Sequence, residues 1–439
     1  MSRVLRIRVI ALALALLAGT MARAEADRTE FLSLLHDGRF AAAREVLRRN
    51  GPPVGPEALF FDAFTTYWEL VFDDDNRVLR GTLEDQLDTV ILAAKGDDAL
   101  WGGSSHLLLA ELRASQRRPF AAAQEAKKAK RLLESVTTAG ADTTDALFGL
   151  GTYNYVADTV PSYVKGLRAL LFLPKGNRQL GLSQLSTAAE KSRYFALEAR
   201  TLLITIYASK HERRYREAIV ERDRLLVSSP DTIASSYASA RLDLSLGRYD
   251  AAIERLARAE ERARRFGDVD PVVSLCIELL RAKAELAAWR PDRAQATAER
   301  ALAHGLGLSP SIRNDLEAVR SSASRQAAGI RWPPAEDQAN FEVLALAQPD
   351  RPLLALLAGD AALRAGKAND ALSWFSRAAA SDLSTDLQAG CKLRQGEAED
   401  LLGRRDNALA LYRIVAGASG FVSRDGAYYY QQSPYGIAP

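Results

Sequence analysis

Cysteine occurs twice, methionine twice and histidine four times in 439 residues. Cys276 and Cys391 cannot make a disulfide framework, and His36, His106, His211 and His304 are too scattered to give a zinc ion a short-range ligand set. The fold must therefore hold by apolar packing. An excess of charge of one sign is missing as well: Lys and Arg total 58 against 55 Asp and Glu. Four of those arginines fall in the first 24 residues, which carry no acid, so residues 25–439 balance at 54 against 55. A near-neutral chain with 26% charged residues is no disordered polyelectrolyte. It also lacks the basic excess with which a protein neutralises phosphates, so no nucleic-acid partner is expected. Apolar runs long enough to cross a bilayer, about 20 residues, are absent too. Leu167–Leu173 is cut short by Pro174, Lys175, Gly176 and Asn177.

The leader has a distinct order. Arg3, Arg6 and Arg8 precede the apolar run Val9–Ala18, and Ala22-Arg23-Ala24 sets small residues where a signal peptidase reads. Residues 1–24 thus read as a cleavable signal peptide, with the mature chain beginning at Glu25 in a periplasmic or secreted location. No Cys stands at the cleavage site to accept lipid.

A fixed internal period is the strongest remaining signal. Gly366, Ala371, Phe375 and Ala378 are spaced five, four and three residues apart, with Gly359 seven before the first. Thirty-seven residues on, Gly403, Ala408, Tyr412 and Val415 repeat this, again with Gly396 seven before. Gly247, Ala252, Leu256 and Ala259 do the same upstream, and Gly38, Phe40, Ala43 and Leu47 match the first part. A Gly between two periodic runs ends one helix in a left-handed conformation, and the small Ala lets the next helix approach closely. Each copy is therefore an antiparallel helical hairpin. The pattern resembles the tetratricopeptide repeat, with weaker copies at Phe120 with Ala123, at Tyr215 with Ala218, and at Ala282, Ala294, Ala298 and Ala301. Asp270-Pro271, Ser309-Pro310 and Ser228-Ser229-Pro230-Asp231 supply helix starts.

A second, narrower resemblance runs through the middle segment. Gly149-x-Gly151-x-Tyr153-Asn154-Tyr155, Val160-Pro161 and Lys175-Gly176-Asn177-Arg178-x-x-Gly181-Leu182-x-x-Leu185 are similar to the helical core of bacterial exported tetratricopeptide proteins. They are also similar to a mitochondrial outer-membrane family linked to inclusion-body clearance, which usually has an acid where Asn177 stands. The resemblance implies a protein-binding scaffold without catalytic residues.

Other constellations point to structure before chemistry. Asp73-Asp74-Asp75-Asn76 has Val78 where an EF-hand needs Gly, and reads as a helix end. Gly102 and Gly103 before His106 suggest a turn, with Ser104 or Ser105 capping the following helix, since no nucleophile elbow accompanies them. Gly149-x-Gly151 lacks the third glycine of a dinucleotide fingerprint, and no phosphate loop occurs. Trp68, Trp101, Tyr153, Tyr155 and Tyr163 are core or a recognition cluster. The Tyr428–Tyr435 stretch is too polar for a helix core and fits a cap on the last repeat.

The expected fold is an all-α solenoid of tetratricopeptide-like hairpins. Its parts are the signal peptide 1–24, an N-terminal hairpin 25–50, an irregular aromatic-rich helical segment 57–190, a repeat array 191–319, two C-terminal repeats 337–418 and an aromatic cap or tail 419–439, with breaks at 51–56 and 320–336. The register places Tyr237, Arg241, Lys283, Asp360, Arg364, Glu397 and Asp400 on a concave groove, running from basic to acidic. The expected function is that of an exported, non-enzymatic adaptor holding a protein partner in the cell envelope, with no cofactor or metal. A receptor or enzyme with its site in the middle segment is the alternative.

Overall fold

The computed structural model describes residues 25–49, 51–95, 98–139, 143–159, 175–230, 232–304, 309–331 and 340–436. The leader, Val160-Pro161, Tyr163, the Leu167–Leu173 run and Trp332-Pro333-Pro334 lie outside them. The fold is an all-α solenoid of helical hairpins, and no strand occurs among the described residues. None of the described helices is long and apolar enough to cross a membrane.

The helices are α1 (25–36), α2 (Phe40–Arg48), α3 (Pro56–Phe72), α4 (Arg77–Ala93), α5 (Ala99–Ser115), α6 (Pro119–Ala139) and α7 (Thr143–Thr159). They continue with α8 (Arg178–Lys191), α9 (Ala196–Ala208), α10 (Tyr215–Ser228), α11 (Ile233–Ser245), α12 (Tyr249–Phe266), α13 (Pro271–Ala287) and α14 (Pro291–Ala303). The last are α15 (Pro310–Ala327), α16 (Phe341–Ala347), α17 (Pro352–Arg364), α18 (Ala368–Ala379), α19 (Thr385–Leu401), α20 (Arg405–Gly417) and α21 (Arg424–Gln432). Several starts follow directly from the sequence. The Asn76, Asn177, Ser309 and Asn340 side chains accept backbone N–H bonds at the starts of α4, α8, α15 and α16, and Asp270 accepts from Val272 N–H at 2.9 Å.

The hairpins share one turn. Residues Gly38, Arg117, Arg213, Gly247, Trp289, Gly366 and Gly403 all have φ between 48° and 77°. In six of these turns the next residue (Arg39, Arg118, Arg248, Arg290, Lys367 or Arg404) donates its N–H to the carbonyl five residues back, closing the helix end. The Arg213 turn is longer, and Arg214 N–H reaches Tyr207 O. Each of these seven residues is followed by Arg or Lys, a cation at the negative end of a helix. Five residues after each stands an alanine, and Ala43, Ala218, Ala252, Ala294, Ala371 and Ala408 are fully buried. The structural register thus puts Ala122, not Ala123, at the close contact of the α5/α6 hairpin. Phe120 is 46% exposed, whereas Phe40 and Tyr215 in the copies it matches by spacing are 2% and 0%.

The chain forms two compact units. The first comprises Met1–Arg200, Thr232–Ala234 and Ala263–Val273. In it α3 packs on α4, α4 on α5, α5 on α6, α6 on α7 and α7 on α8, while α3 also meets α5 and α5 meets α7, so first helices lie side by side. Its core is aromatic: Trp101 lies 5.3 Å from both Phe60 and Phe61 and 5.2 Å from Tyr194, centroid to centroid. The turn expected at Gly102-Gly103 is absent. Both glycines are inside α5, because a Cβ on Gly103 would come 2.8 Å from Leu133 Cγ of α6 and one on Gly102 3.2 Å from Ala94 Cβ. The middle-segment motif is a helix crossing: a Cβ on Gly181 would meet Tyr155 N at 2.6 Å and Gly151 O at 2.8 Å. Backbone touches backbone there.

The second unit comprises Thr201–Asp231, Ser235–Arg262 and Ser274–Pro439. Its core joins Trp289, Leu353–Ala358, Phe375 and Cys391. The two clearest repeats interdigitate alike, Gly359 under the Phe375 ring and Gly396 under Tyr412. Helix α15 runs to Ala327, so the break expected from residue 320 begins later. The tyrosine-rich C-terminal stretch is helical rather than a polar tail. In α21 Tyr429 and Tyr430 are buried, Tyr430 lies 5.6 Å from Tyr412, and Arg405 donates to the Tyr430 and Gln431 carbonyls at 2.6 and 3.0 Å. The same helix packs on the start of the unit: Ser423 Oγ donates to Leu244 O at 2.8 Å and Tyr215 Oη donates to Asp425 at 3.2 Å.

Candidate functional site

All seven groove candidates fall on first helices of the second unit: Tyr237 and Arg241 on α11, Lys283 on α13, Asp360 and Arg364 on α17, Glu397 and Asp400 on α19. They do not form one open stripe. Arg241 and Arg364 are exposed, Tyr237 and Lys283 half-buried, and Lys283 Nζ pairs with Asp315 at 2.6 Å. Asp360 and Glu397 are buried, and the Asp400 side chain is 1% exposed. The reason is Arg394, whose guanidinium lies 2.6 Å from Glu397, 3.3 Å from Asp360 and 3.3 Å from the Gly247 carbonyl in the α11–α12 turn. Asp400 is held by Arg405 at 2.8 Å, by the Tyr412 hydroxyl at 2.9 Å and by Tyr435 N–H at 2.9 Å. The acidic end of the expected groove is an interior ion-pair network. Burial, with Asp360 and Asp400 adding to it, pushes the Glu397 carboxyl up to about 7 against the pull of Arg394, and Glu397 Oε1 has no hydrogen-bond partner.

The features set aside as structural behave so. Asn76 caps α4 and donates to Asp73 at 2.9 Å. His106 Nδ1 lies 2.6 Å from Glu125, which also pairs with Lys128, and burial lowers the imidazole's basicity. Trp68, Trp101, Tyr153 and Tyr155 are all buried core. Among the described residues no group of three His, Cys, Asp or Glu side chains converges as metal ligands would.

The first unit carries a surface that the sequence reading did not single out. Phe60, Phe64 and Tyr67 recur at i, i+4 and i+7 along α3, so they share one face. Phe64 stacks on Tyr67 at 5.8 Å and on Phe60 at 5.6 Å. Opposite Phe60 and Phe64 are Ser104, Leu107 and Leu108 of α5, Phe148 of α7 and Phe195, which precedes α9. Phe60, Phe64, Ser104, Leu107, Leu108, Phe148 and Phe195 border a cleft of about 10 Å³, room for one water at most and too small for a metabolite. The Tyr67 hydroxyl donates to Glu111 of α5, 3.2 Å from both carboxylate oxygens. Burial pushes the Tyr67 phenol well up, and the Glu111 and Glu198 carboxylates push it further. Desolvation also raises the Glu111 carboxyl, although that residue is exposed. Glu198 Oε1 lies 3.1 Å from His36 Nε2, and its Oε2 is buried without a hydrogen-bond partner.

A larger cleft, about 390 Å³, lies in the second unit between α15, α17 and α19, with Arg325, Gln326, Asp350 and Asp386 among its lining residues.

No protein-family model matches the chain, and no curated protein matches it. Among solved structures, the chain is similar to yeast Tom70 at 12% identity, covering 91% of this chain and 86% of that one with a TM-score of 0.34. It is also similar to the human IFIT1 dimer with m7Gppp-AAAA at 11% identity, covering 90% and 84% with a TM-score of 0.27. At these values nothing about the ligands of those proteins transfers to this chain.

Proposed function

We infer that the chain is a non-enzymatic repeat scaffold, exported into the cell envelope, where it holds a protein partner in assembly or secretion. The observation that carries this reading is the repetition itself. Seven turns with one backbone conformation, each followed by a cation and then an alanine, commit the buried positions to stacking one hairpin on the next. The exposed faces of the first helices are then free to differ along the array and to contact a partner. Arg241, Lys283, Arg364 and Tyr237 are the proposed contacts on the second unit, while the buried Asp360, Glu397 and Asp400 shape the interior behind them. Export is supported by the order of charge, apolar run and small residues in 1–24.

The test has two parts. N-terminal sequencing of the chain released by osmotic shock should read from Glu25, and an intact Met1 in the envelope fraction argues against export. A tagged chain isolated from envelope fractions should carry a stoichiometric protein; a co-purified small ligand in its place supports the receptor reading instead.

A further inference from the structure

We propose that the cleft between α15, α17 and α19 of the second unit binds a short zwitterionic peptide, with Arg325 taking its terminal carboxylate, Asp382 and Asp386 its terminal ammonium, and Gln326 a peptide N–H. This goes beyond the scaffold reading and does not rest on it.

At about 390 Å³ the cleft falls inside the roughly 300–1,000 Å³ range of small-ligand sites. Its floor is apolar: Leu353 and Leu383 are buried, and Ile330, Pro352 and Leu387 are half-buried beside them. Such a floor takes an apolar body, and the polar groups of the lining decide what that body carries. One pair is already matched, since Arg351 lies 3.3 Å from Asp350. The other polar groups are not. Among the described residues the Arg325 guanidinium meets no carboxylate and donates only to Ser322 Oγ, at 3.0 Å. The Asp382 and Asp386 carboxylates have neither a cation nor a hydrogen-bond donor there. Asp386 by itself is an ordinary acid in the first turn of α19, but Asp382 stands before the helix, where helix stabilisation does not account for it. The independent observation is Gln326 Oε1, which is buried without a hydrogen-bond partner. A buried acceptor in that state requires an N–H or O–H from outside. The unmet charges of the lining have both signs. An inorganic anion would face Asp382 and Asp386, and a polyamine would face Arg325, so neither fits. An amino acid or peptide with free ends carries both charges, and a guanidinium fork can bind both oxygens of its carboxylate. The unmet Gln326 acceptor decides for the peptide, whose amide N–H is a donor that a free amino acid lacks.

Isothermal titration calorimetry of the full chain with Leu-Leu, Leu-Phe and Ala-Leu tests this. At least one should bind at millimolar concentration or below. The best of them should lose affinity about tenfold when its amine is acetylated, about tenfold when its carboxylate is amidated, and about tenfold when free leucine replaces it. Arg325→Gln should cost as much as amidation, and the two losses should not add. Asp382→Asn combined with Asp386→Asn should stand in the same relation to acetylation. All three residues are exposed, so the melting transitions should stay close to the parent value and the losses read binding alone. No binding to any of the three dipeptides, equal affinity for free and blocked ends, leucine binding as tightly as the dipeptide, or losses under threefold in the variants overturns the proposal.

Discussion

Gly181→Ala and Gly81→Ala are the same chemical change inside two helices, and the structure assigns them opposite signs. Gly81 is exposed in α4, and a Cβ there would meet nothing within 4 Å. Alanine should therefore deliver its helix-propensity advantage, about 0.8–1 kcal/mol. Gly181 gains the same propensity, but its Cβ would lie 2.6 Å from Tyr155 N and 2.8 Å from Gly151 O. Ordinary contact begins near 3.4 Å, so α7 and α8 must separate by a large part of an ångström. Both obstacles are backbone, which cannot rotate away as a side chain does. Overpacking costs about 1–3 kcal/mol, and a backbone clash belongs at the upper end, leaving a net loss of about 1–2 kcal/mol after the propensity gain. At roughly 2–4 °C per kcal/mol for a unit of this size, thermal unfolding followed by circular dichroism should move up for Gly81→Ala and down by about 2–8 °C for Gly181→Ala. An increase for both would mean that the α7–α8 crossing is not the close backbone contact described above.

Other consequences follow from burial, strain and titration. Ala371→Leu should lower the melting transition more than Arg364→Ala, because Ala371 is fully buried at a helix contact and Arg364 is an exposed partner of Asp250 and Asp360; the reverse ranking contradicts the register. Arg117→Gly should stabilise the chain by about 1 kcal/mol in urea titration, because Arg117 is exposed with φ 57° where glycine carries no Cβ penalty. With Glu397 raised from 4.5 to about 7, the folded chain binds a proton that the unfolded chain has already released, so stability should fall as pH rises through that window. The loss should reach at most about 3 kcal/mol, and Glu397→Gln should flatten the profile; an unchanged slope in the variant refutes the assignment. Burial pushes the Cys391 thiol up to about 12, so it should resist a thiol reagent at pH 8 until the chain is unfolded.

How far the sequence discloses the fold depends on which residue occupies each turn. Where glycine holds the left-handed position, at 38, 247, 366 and 403, the hairpin is visible as a spacing. Arg117, Arg213 and Trp289 take the same backbone conformation with side chains that normally avoid it, so glycine alone does not mark those copies. The basic residue after each turn and the alanine five on do mark them. The aromatic column Phe60, Phe64 and Tyr67 was equally present as a helical spacing, but Glu111, which bonds to Tyr67, lies 44 residues away from it, and nothing local joins them. The groove candidates show the converse. Helix register correctly puts Asp360, Glu397 and Asp400 on first helices, yet it carries no information about Arg394 meeting the Gly247 carbonyl 147 residues earlier, the contact that turns an outer face into an interior.

The central claim is that this array exists to hold another protein, and isolation of the chain from envelope fractions after brief crosslinking tests it most directly. Quantitative mass spectrometry should find one protein in stoichiometric amount, reduced when Arg241→Ala is combined with Lys283→Ala while the melting transition stays in place. A chain that elutes without any stoichiometric protein, or whose captured protein is unaffected by the combined variant, would contradict the account.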